Sequence, residues 1–308
     1  MKLDFIKSSK ILFTLALCYR NFAVKITSNI KSKKKLNPKQ MEILKTLKSD
    51  GIVVVPGYFS SDECKTMKSE YDTLLLNHSF ECPKENERRV FGMDQLSVEV
   101  KRIFSDDTLS WEVCEYYLNE KMKLQTTMSA RIDYGSGVRY GSGGSWHRDS
   151  FSRQIKSISY LTDMTDDNGP FMYIKGSHKM ANILKLIWSD SKNIPPGETR
   201  YTDSYIDKAQ KILGKDISYF NCNAGDLILA DIRGLHTTSK VKKGYAYSIF
   251  NYYIAFKDHK ENGSIMKVVR DCISQPIKSI AIKNITQSVD RKGNFRDNTV
   301  IRRLFSGS

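Results

Sequence analysis

No Cys-x-x-Cys pair occurs in this chain, and its six cysteines (Cys18, Cys64, Cys82, Cys114, Cys222 and Cys272) lie scattered along 308 residues. The scatter excludes a disulfide-stapled mini-protein and a four-thiolate zinc site, and it suits a reducing, cytoplasmic setting. Loops of the Gly-x-Gly-x-x-Gly and Gly-x-x-x-x-Gly-Lys kinds are missing too, which removes the usual phosphate cradles. There is no internal repeat. Nor is there an apolar run of membrane-spanning length. Residues 11–19 are apolar and flanked by Lys7, Lys10, Arg20 and Lys25, whereas a span needs roughly 20 apolar residues. No small-x-small cleavage site follows, so the run reads as a helix lying against the body or on a membrane interface.

Excess charge is missing from the interior. The formal charge is +15, of which residues 1–36 supply +8 and residues 255–308 supply +6, leaving +1 for residues 37–254. A neutral body argues against a nucleic-acid reader built around a basic core. The basic ends serve solubility, or make a peripheral contact with an anionic membrane surface or with nucleic acid. With 40% hydrophobic and 27% charged residues the chain is globular, and its length fits one large domain or two small ones. Oligomeric state leaves no trace in the pattern.

Helix and strand signals change character midway. Asn37, Pro38 and Gly51 frame a helix as cap, first residue and stop, with Met41, Leu44 and Leu47 along one stripe. A short strand follows at Ile52–Val55, closed by Pro56 and Gly57. Ser60 with Glu63 then forms a capping box for a helix carrying Met67, Tyr71, Leu74 and Leu75. Residues 80–95 read as a polar loop, with helices near 98–104 and 109–118. From Lys123 onward β-rich segments take over at 124–134, 155–161, 171–174, 213–220, 226–231 and 245–256, interrupted by helices at 180–188 and 204–212. Strands that do not alternate regularly with helices fit an all-β barrel better than βαβ units. The expected fold class is therefore mainly β, a jelly roll with flanking N-terminal helices. Its expected organisation is a basic, partly apolar extension (1–36), a single catalytic domain (37–256) and a basic tail packing on the body (257–308). Within the domain a helical layer (37–120) precedes a jelly-roll core (120–256), with no Pro/Gly/Ser linker between them.

The chemistry-bearing segment is Trp146-His147-Arg148-Asp149, which follows a glycine-rich stretch. His147 and Asp149 are two apart, and on a strand that spacing puts both side chains on one face. Only five histidines exist in the chain, and His236 follows the segment 226–231. A barrel would bring that strand end beside His147. Two histidines and one carboxylate on a β scaffold form the facial set that holds non-haem Fe(II) and leaves three positions open. By pattern alone the pair also fits a histidine bonding a neighbour and an aspartate starting a turn. His178 stands before an apolar helix (Met180, Ile183, Leu184, Ile187) and reads as packing. Residues 135–145, with Arg139, form a rim beside the site, and the insertion 180–215 is a candidate lid.

Three further blocks follow in order. They are Asp166-Asp167-Asn168-Gly169-Pro170 running on to Gly176-Ser177-His178-Lys179, then Ala224-Gly225-Asp226, then Asp231-Ile232-Arg233-Gly234-Leu235-His236. Together with the His147 segment they resemble the phytanoyl-CoA dioxygenase family of Fe(II)/2-oxoglutarate oxygenases, which includes ectoine hydroxylase, over about two thirds of the chain. The resemblance implies a double-stranded β-helix core with His147, Asp149 and His236 as iron ligands and catalytic residues. It also implies that O2 and 2-oxoglutarate are used to hydroxylate a small organic molecule, with release of succinate and CO2. Relatives that halogenate lack the carboxylate, so Asp149 favours oxygenation.

One family feature is missing. The arginine that clamps the far carboxylate of 2-oxoglutarate would fall where Ala246 and Tyr247 stand. Three readings follow. A displaced cation takes its place, with Arg233 ahead of Arg131 and Lys243; or Tyr247 and Ser248 hold the carboxylate by neutral hydrogen bonds; or the cosubstrate is altered. The rival to an enzyme is accordingly a silent or cosubstrate-altered relative used as a binding or assembly module.

Overall fold

The computed structural model describes residues 3–27, 35–77, 87–105, 108–120, 122–134, 145–189, 194–255 and Val269. Nearly all of the expected rim (135–145) and tail (257–308) lies outside those residues, Arg139 included. The chain begins with α1 (Leu3–Ser8), α2 (Lys10–Thr27), α3 (Pro38–Asp50), β1 (Ile52–Val55) and α4 (Ser61–Asn77). It continues through β2 (Glu87–Phe91), α5 (Met93–Leu96), α6 (Val98–Ser105), α7 (Thr108–Leu118) and β3 (Met122–Asp133). After β4 (Gln154–Tyr160) and β5 (Phe171–Ile174) come α8 (Met180–Ser189) and α9 (Asp203–Leu213). The last elements are β6 (Ile217–Phe220), β7 (Leu227–Asp231), β8 (His236–Thr238) and β9 (Tyr245–Ala255).

Local chemistry sets the early boundaries. Asn37 accepts from the Gln40 amide at 2.9 Å while the Gln40 side chain accepts from the Asn37 amide at 2.9 Å, and Gly51 ends α3 at φ 83°. Such reciprocal capping satisfies two donors that a helix start otherwise leaves bare, a cap being worth about 1 kcal/mol. Ser60 and Glu63 do the same for α4. Several segments differ from the sequence reading, α5 and β8 among them. β2 lies inside the expected polar loop because its charges are paired, Arg89 with the buried Glu87 at 2.5 Å and Arg88 with Asp133 at 3.1 Å. The segment 213–220 splits, since Gly214 at φ 61° closes α9 before β6 begins.

The expected jelly-roll barrel is corrected by the topology. Among the described residues nine strands form two open sheets, one ordered β1-β7-β4-β9-β3-β2 and the other β6-β5-β8, and neither closes. Among the described residues helix outweighs strand, 43% against 26%, so the fold is mixed α/β. The physical reason lies in β1 and β2. Both come from the helical N-terminal stretch and take the two edges of the large sheet, so among the described residues that sheet ends in strands that do not pair onward.

Alternation along the large sheet separates two environments. Ile155, Leu227, Leu229, Tyr247, Ile249 and Tyr253 face outward and pack with Leu44, Leu47, Met67, Tyr71 and Val113 of the helices. Met128, Ala130, Ile158, Ile228, Ala246 and Phe250 face inward and meet Phe171 and Tyr173 of the small sheet. The N-terminal helices therefore share one core with the sheet's outer face. Separately, α2 buries Phe13 and Leu17 against Phe151, Ile183 and Ile187. No helix among the described residues is long and apolar enough to cross a membrane.

Candidate metal centre

His147 and His236 are direct antiparallel partners. The His147 amide donates to the His236 carbonyl at 2.9 Å, and the His236 amide returns the bond at 3.0 Å. Opposed residues of such a pair carry their side chains on one face, and here the two ring centroids are 4.3 Å apart. Asp149 lies two residues beyond His147, its amide fixed on the Ile232 carbonyl at 3.0 Å. The return of the α8–α9 insertion holds the other side, with Arg148 bonded to Thr199 and Tyr201 to Trp146 through the backbone. One ligand atom from each of His147, Asp149 and His236 falls within 4.8 Å of the other two, the one such cluster among the described residues.

The proton arrangement fits a cation. His147 Nδ1 bonds the Ser145 carbonyl at 2.9 Å and His236 Nδ1 the Gly234 carbonyl at 2.8 Å. A carbonyl only accepts, so each Nδ1 carries the hydrogen and each Nε2 turns inward. Burial, reinforced by His147, lowers the His236 pKa to about 4, so its ring is neutral near pH 7. Its Nε2 is buried, makes no hydrogen bond, and stands 3.4 Å from Asp149 Oδ1. A nitrogen lone pair and a carboxylate oxygen thus face each other with no hydrogen between them, while His147 Nε2 lies 3.1 Å from the same oxygen. Two imidazole nitrogens and one carboxylate oxygen suit Fe(II).

Behind His236 lies a fully bonded buried cluster. Asp231 accepts from Tyr117 at 2.6 Å and from Arg233 Nη2 at 2.6 Å, and the Tyr173 hydroxyl donates to its carbonyl at 2.8 Å. Burial alone would raise the Asp231 pKa, but Arg233 outweighs it and holds the carboxylate ionised. Arg148 donates to the Ser177 and Arg233 carbonyls, and Ser177 Oγ accepts from the Leu235 amide at 2.8 Å. These bonds fix the turn 231–234, and with it His236.

The five residues considered for the far carboxylate are dispersed. Arg233 is engaged by Asp231. Arg131 sits on the outer face, bonding Asp133 and the Tyr247 hydroxyl, and Tyr247 in turn donates to Asp72. Lys243 is exposed and pairs with Asp167 at 2.9 Å. Ser248 alone is buried with the inward parity of Ala246 and Phe250. His178 bonds the Lys48 carbonyl at the end of α3, apart from the triad.

Sequence reasoning passed over Lys156. It lies mid-strand in β4, every residue of which is buried, and its Nζ is 2.6 Å from Asp149 Oδ2. Burial would lower its pKa, yet Asp149 more than offsets this and leaves it raised. Asp149 mirrors it: burial would raise the carboxyl, but Lys156 and then the histidines hold it well below the ordinary range. The available signal was a lysine in an apolar strand with the parity of Ile158 and Tyr160. Such a lysine reads as solvent-facing until β4 is known to run between β7 and β9.

A model of the phytanoyl-CoA dioxygenase (PhyH) family matches residues 47–242, which include all three triad positions. The ectoine dioxygenase of Halomonas elongata is 26% identical over 155 residues, covering 44% of this chain and 45% of that protein. That of Sphingopyxis alaskensis is 24% identical over 147 residues, covering 42% and 47%. The chain therefore spans under half the length of these relatives. Among solved structures, the epimerase SnoN in complex with Fe3+, alpha ketoglutarate and nogalamycin RO aligns with a TM-score of 0.54 at 16% identity, covering 70% of this chain and 84% of that one. EctD from S. alaskensis with bound Fe aligns with a TM-score of 0.52 at 17% identity, covering 72% and 80%. At these identities the structural likeness speaks for the fold alone.

Proposed function

Because the chain belongs to the phytanoyl-CoA dioxygenase family, we propose that it is an Fe(II)/2-oxoglutarate-dependent oxygenase acting on a small organic molecule. The observation that carries this reading is the inward convergence of His147 Nε2, His236 Nε2 and Asp149 Oδ1. Iron bound by these atoms would supply O2 activation: 2-oxoglutarate, O2 and a C–H substrate give succinate, CO2 and the hydroxylated product, one oxygen atom passing to succinate and one to product. The chain's own part is orientation. The Ser145 and Gly234 carbonyls fix both imidazole tautomers, and Lys156 occupies Asp149 Oδ2 so that Oδ1 alone faces the histidines. The catalytic unit in this reading is residues 37–256, supported by the single core that N-terminal helices and sheet share. The chain's four free described cysteines (Cys18, Cys64, Cys114, Cys222) fit a cytoplasmic setting.

Anaerobic titration tests it. Fe(II) followed by 2-oxoglutarate should produce a visible metal-to-ligand absorption band with one iron per chain, and admitted O2 should yield succinate. A protein that takes up neither iron nor 2-oxoglutarate would instead be a silent binding module.

A second, peripheral reading rests on α2. Its outward arc is apolar (Ile11, Leu15, Tyr19 and Phe22 are exposed) and lies within the most basic segment of the chain. This arrangement suits an anionic membrane surface, the apolar arc entering the interface and the lysines meeting headgroups. The protein should co-sediment with phosphatidylserine-containing vesicles and less with phosphatidylcholine alone. An Ile11→Ser/Leu15→Ser/Phe22→Ser variant, altered only at exposed positions, should stay in the supernatant; equal sedimentation of both proteins would overturn this contact.

A further inference from the structure

The oxygenase reading leaves the far carboxylate of the cosubstrate without a partner, and the inference here rests on that reading. We propose that Lys156 is the cation that receives this carboxylate, from β4, in place of an arginine on β9.

Elimination narrows the choice first. Arg233 is bound on both carboxylate oxygens of Asp231, and the Tyr117 hydroxyl completes that pair. Withdrawing it would strand Asp231, which is fully buried, and an uncompensated buried charge is costly. Arg131 is on the opposite face of the sheet: its register partner is Tyr247, its guanidinium bonds the Tyr247 hydroxyl, and Tyr247 packs with the helices. No rotamer carries a side chain through a sheet to the other face. Lys243 is solvated at 77% side-chain exposure and already paired with Asp167. Each of these three has its own carboxylate, away from the triad.

Lys156 differs in position and in charge balance. It lies on the inner face, its Nζ against Asp149 and over the Tyr252 and Phe250 rings at 4.8 and 5.9 Å. Those rings form an apolar wall on which the methylene chain of a diacid can lie. The ammonium carries three hydrogens; Asp149 takes one and the Tyr252 hydroxyl at most a second, so one remains to donate. Without metal, Lys156 and Asp149 neutralise each other. Once a divalent metal draws on the Asp149 charge, the buried ammonium is left partly uncompensated. The pocket then holds one aspartate against a divalent ion and a lysine, an excess of two positive charges. A dianionic ligand that spans metal and ammonium cancels it.

The experiment compares two ligands in the anaerobic Fe(II) protein. They are 2-oxoglutarate and 2-oxopentanoate, which has the same metal-binding end and chain length but no far carboxylate. Affinities are read from the metal-to-ligand absorption band. Wild type should prefer 2-oxoglutarate by at least about tenfold. Lys156→Met should lose that preference while keeping its affinity for 2-oxopentanoate, and Lys156→Arg should restore much of it. A role confined to holding Asp149 would weaken both ligands alike, which would overturn the proposal; so would a Lys156→Met protein that still prefers the diacid. If Lys156→Met takes up no iron, the comparison passes to Lys156→Gln, which can still bond Asp149 but carries no charge, and retained preference there counts against the lysine. Absence of the band with either ligand in wild type would remove the oxygenase reading itself, an outcome distinct from failure of the lysine assignment.

Discussion

Replacing His147 by alanine is expected to abolish stoichiometric Fe(II) binding and, with it, turnover of 2-oxoglutarate. The site has three protein ligands, and two of them are cross-strand partners with their rings 4.3 Å apart. Loss of His147 leaves one imidazole and one carboxylate, too few to hold the ion against water. Removing merely an outer-shell partner of a metal ligand typically lowers affinity about 10–100-fold, so removing a ligand should exceed that range. His178→Ala is the matched control. That ring is equally buried, but it donates to a partner elsewhere in the fold, the Lys48 carbonyl 3.3 Å away, and its pKa is lowered by burial. Its removal should cost about 1–3 kcal/mol of stability through a bare carbonyl, with iron content intact. Iron measured per chain after anaerobic loading and desalting decides the matter, and unchanged occupancy in His147→Ala would refute the ligand assignment.

Gly234→Ala is expected to be nearly as damaging, although it removes no functional group. A Cβ at this position would stand 1.8 Å from the Tyr173 hydroxyl oxygen and 2.0 Å from its ring. Tyr173 has nowhere to go, being fully buried, bonded to the Asp231 carbonyl and stacked at 17° to the His236 ring. The overlap must therefore be relieved by the turn, whose Gly234 carbonyl sets the His236 tautomer. Overpacking of this kind costs about 1–3 kcal/mol, and here the displacement falls on a metal ligand. Thermal unfolding should show the loss of stability, and Fe(II) titration a weakened site. Gly214→Ala provides the contrast: its Cβ would meet nothing within 4 Å, so only the positive φ of 61° opposes it. That variant should lose some stability and keep its iron. Equal iron affinity in Gly234→Ala and wild type would show that the turn does not govern His236.

The sequence by itself determined the local elements and the chemistry. Asn37, Pro38 and Gly51 framed α3 through signals that need no tertiary partner, and Ser60 with Glu63 did so for α4. The His147–Asp149 spacing announced a shared face, and four ordered blocks marked the family. Strand pairing was beyond it. Backbone bonds between strands join residues far apart in the chain, so neither the open order of the large sheet nor its edge strands β1 and β2 could be read from local pattern. β2 escaped because its charges looked solvated, and only pairing along β3 showed Glu87 to be buried. The same limit governs the site. Parity along one strand says which residues share a face, while only packing says which face meets the metal ligands. That decision set Arg131 and Tyr247 against the helices, bound Arg233 to Asp231, and brought Lys156, an ordinary strand lysine by sequence, to within 2.6 Å of Asp149.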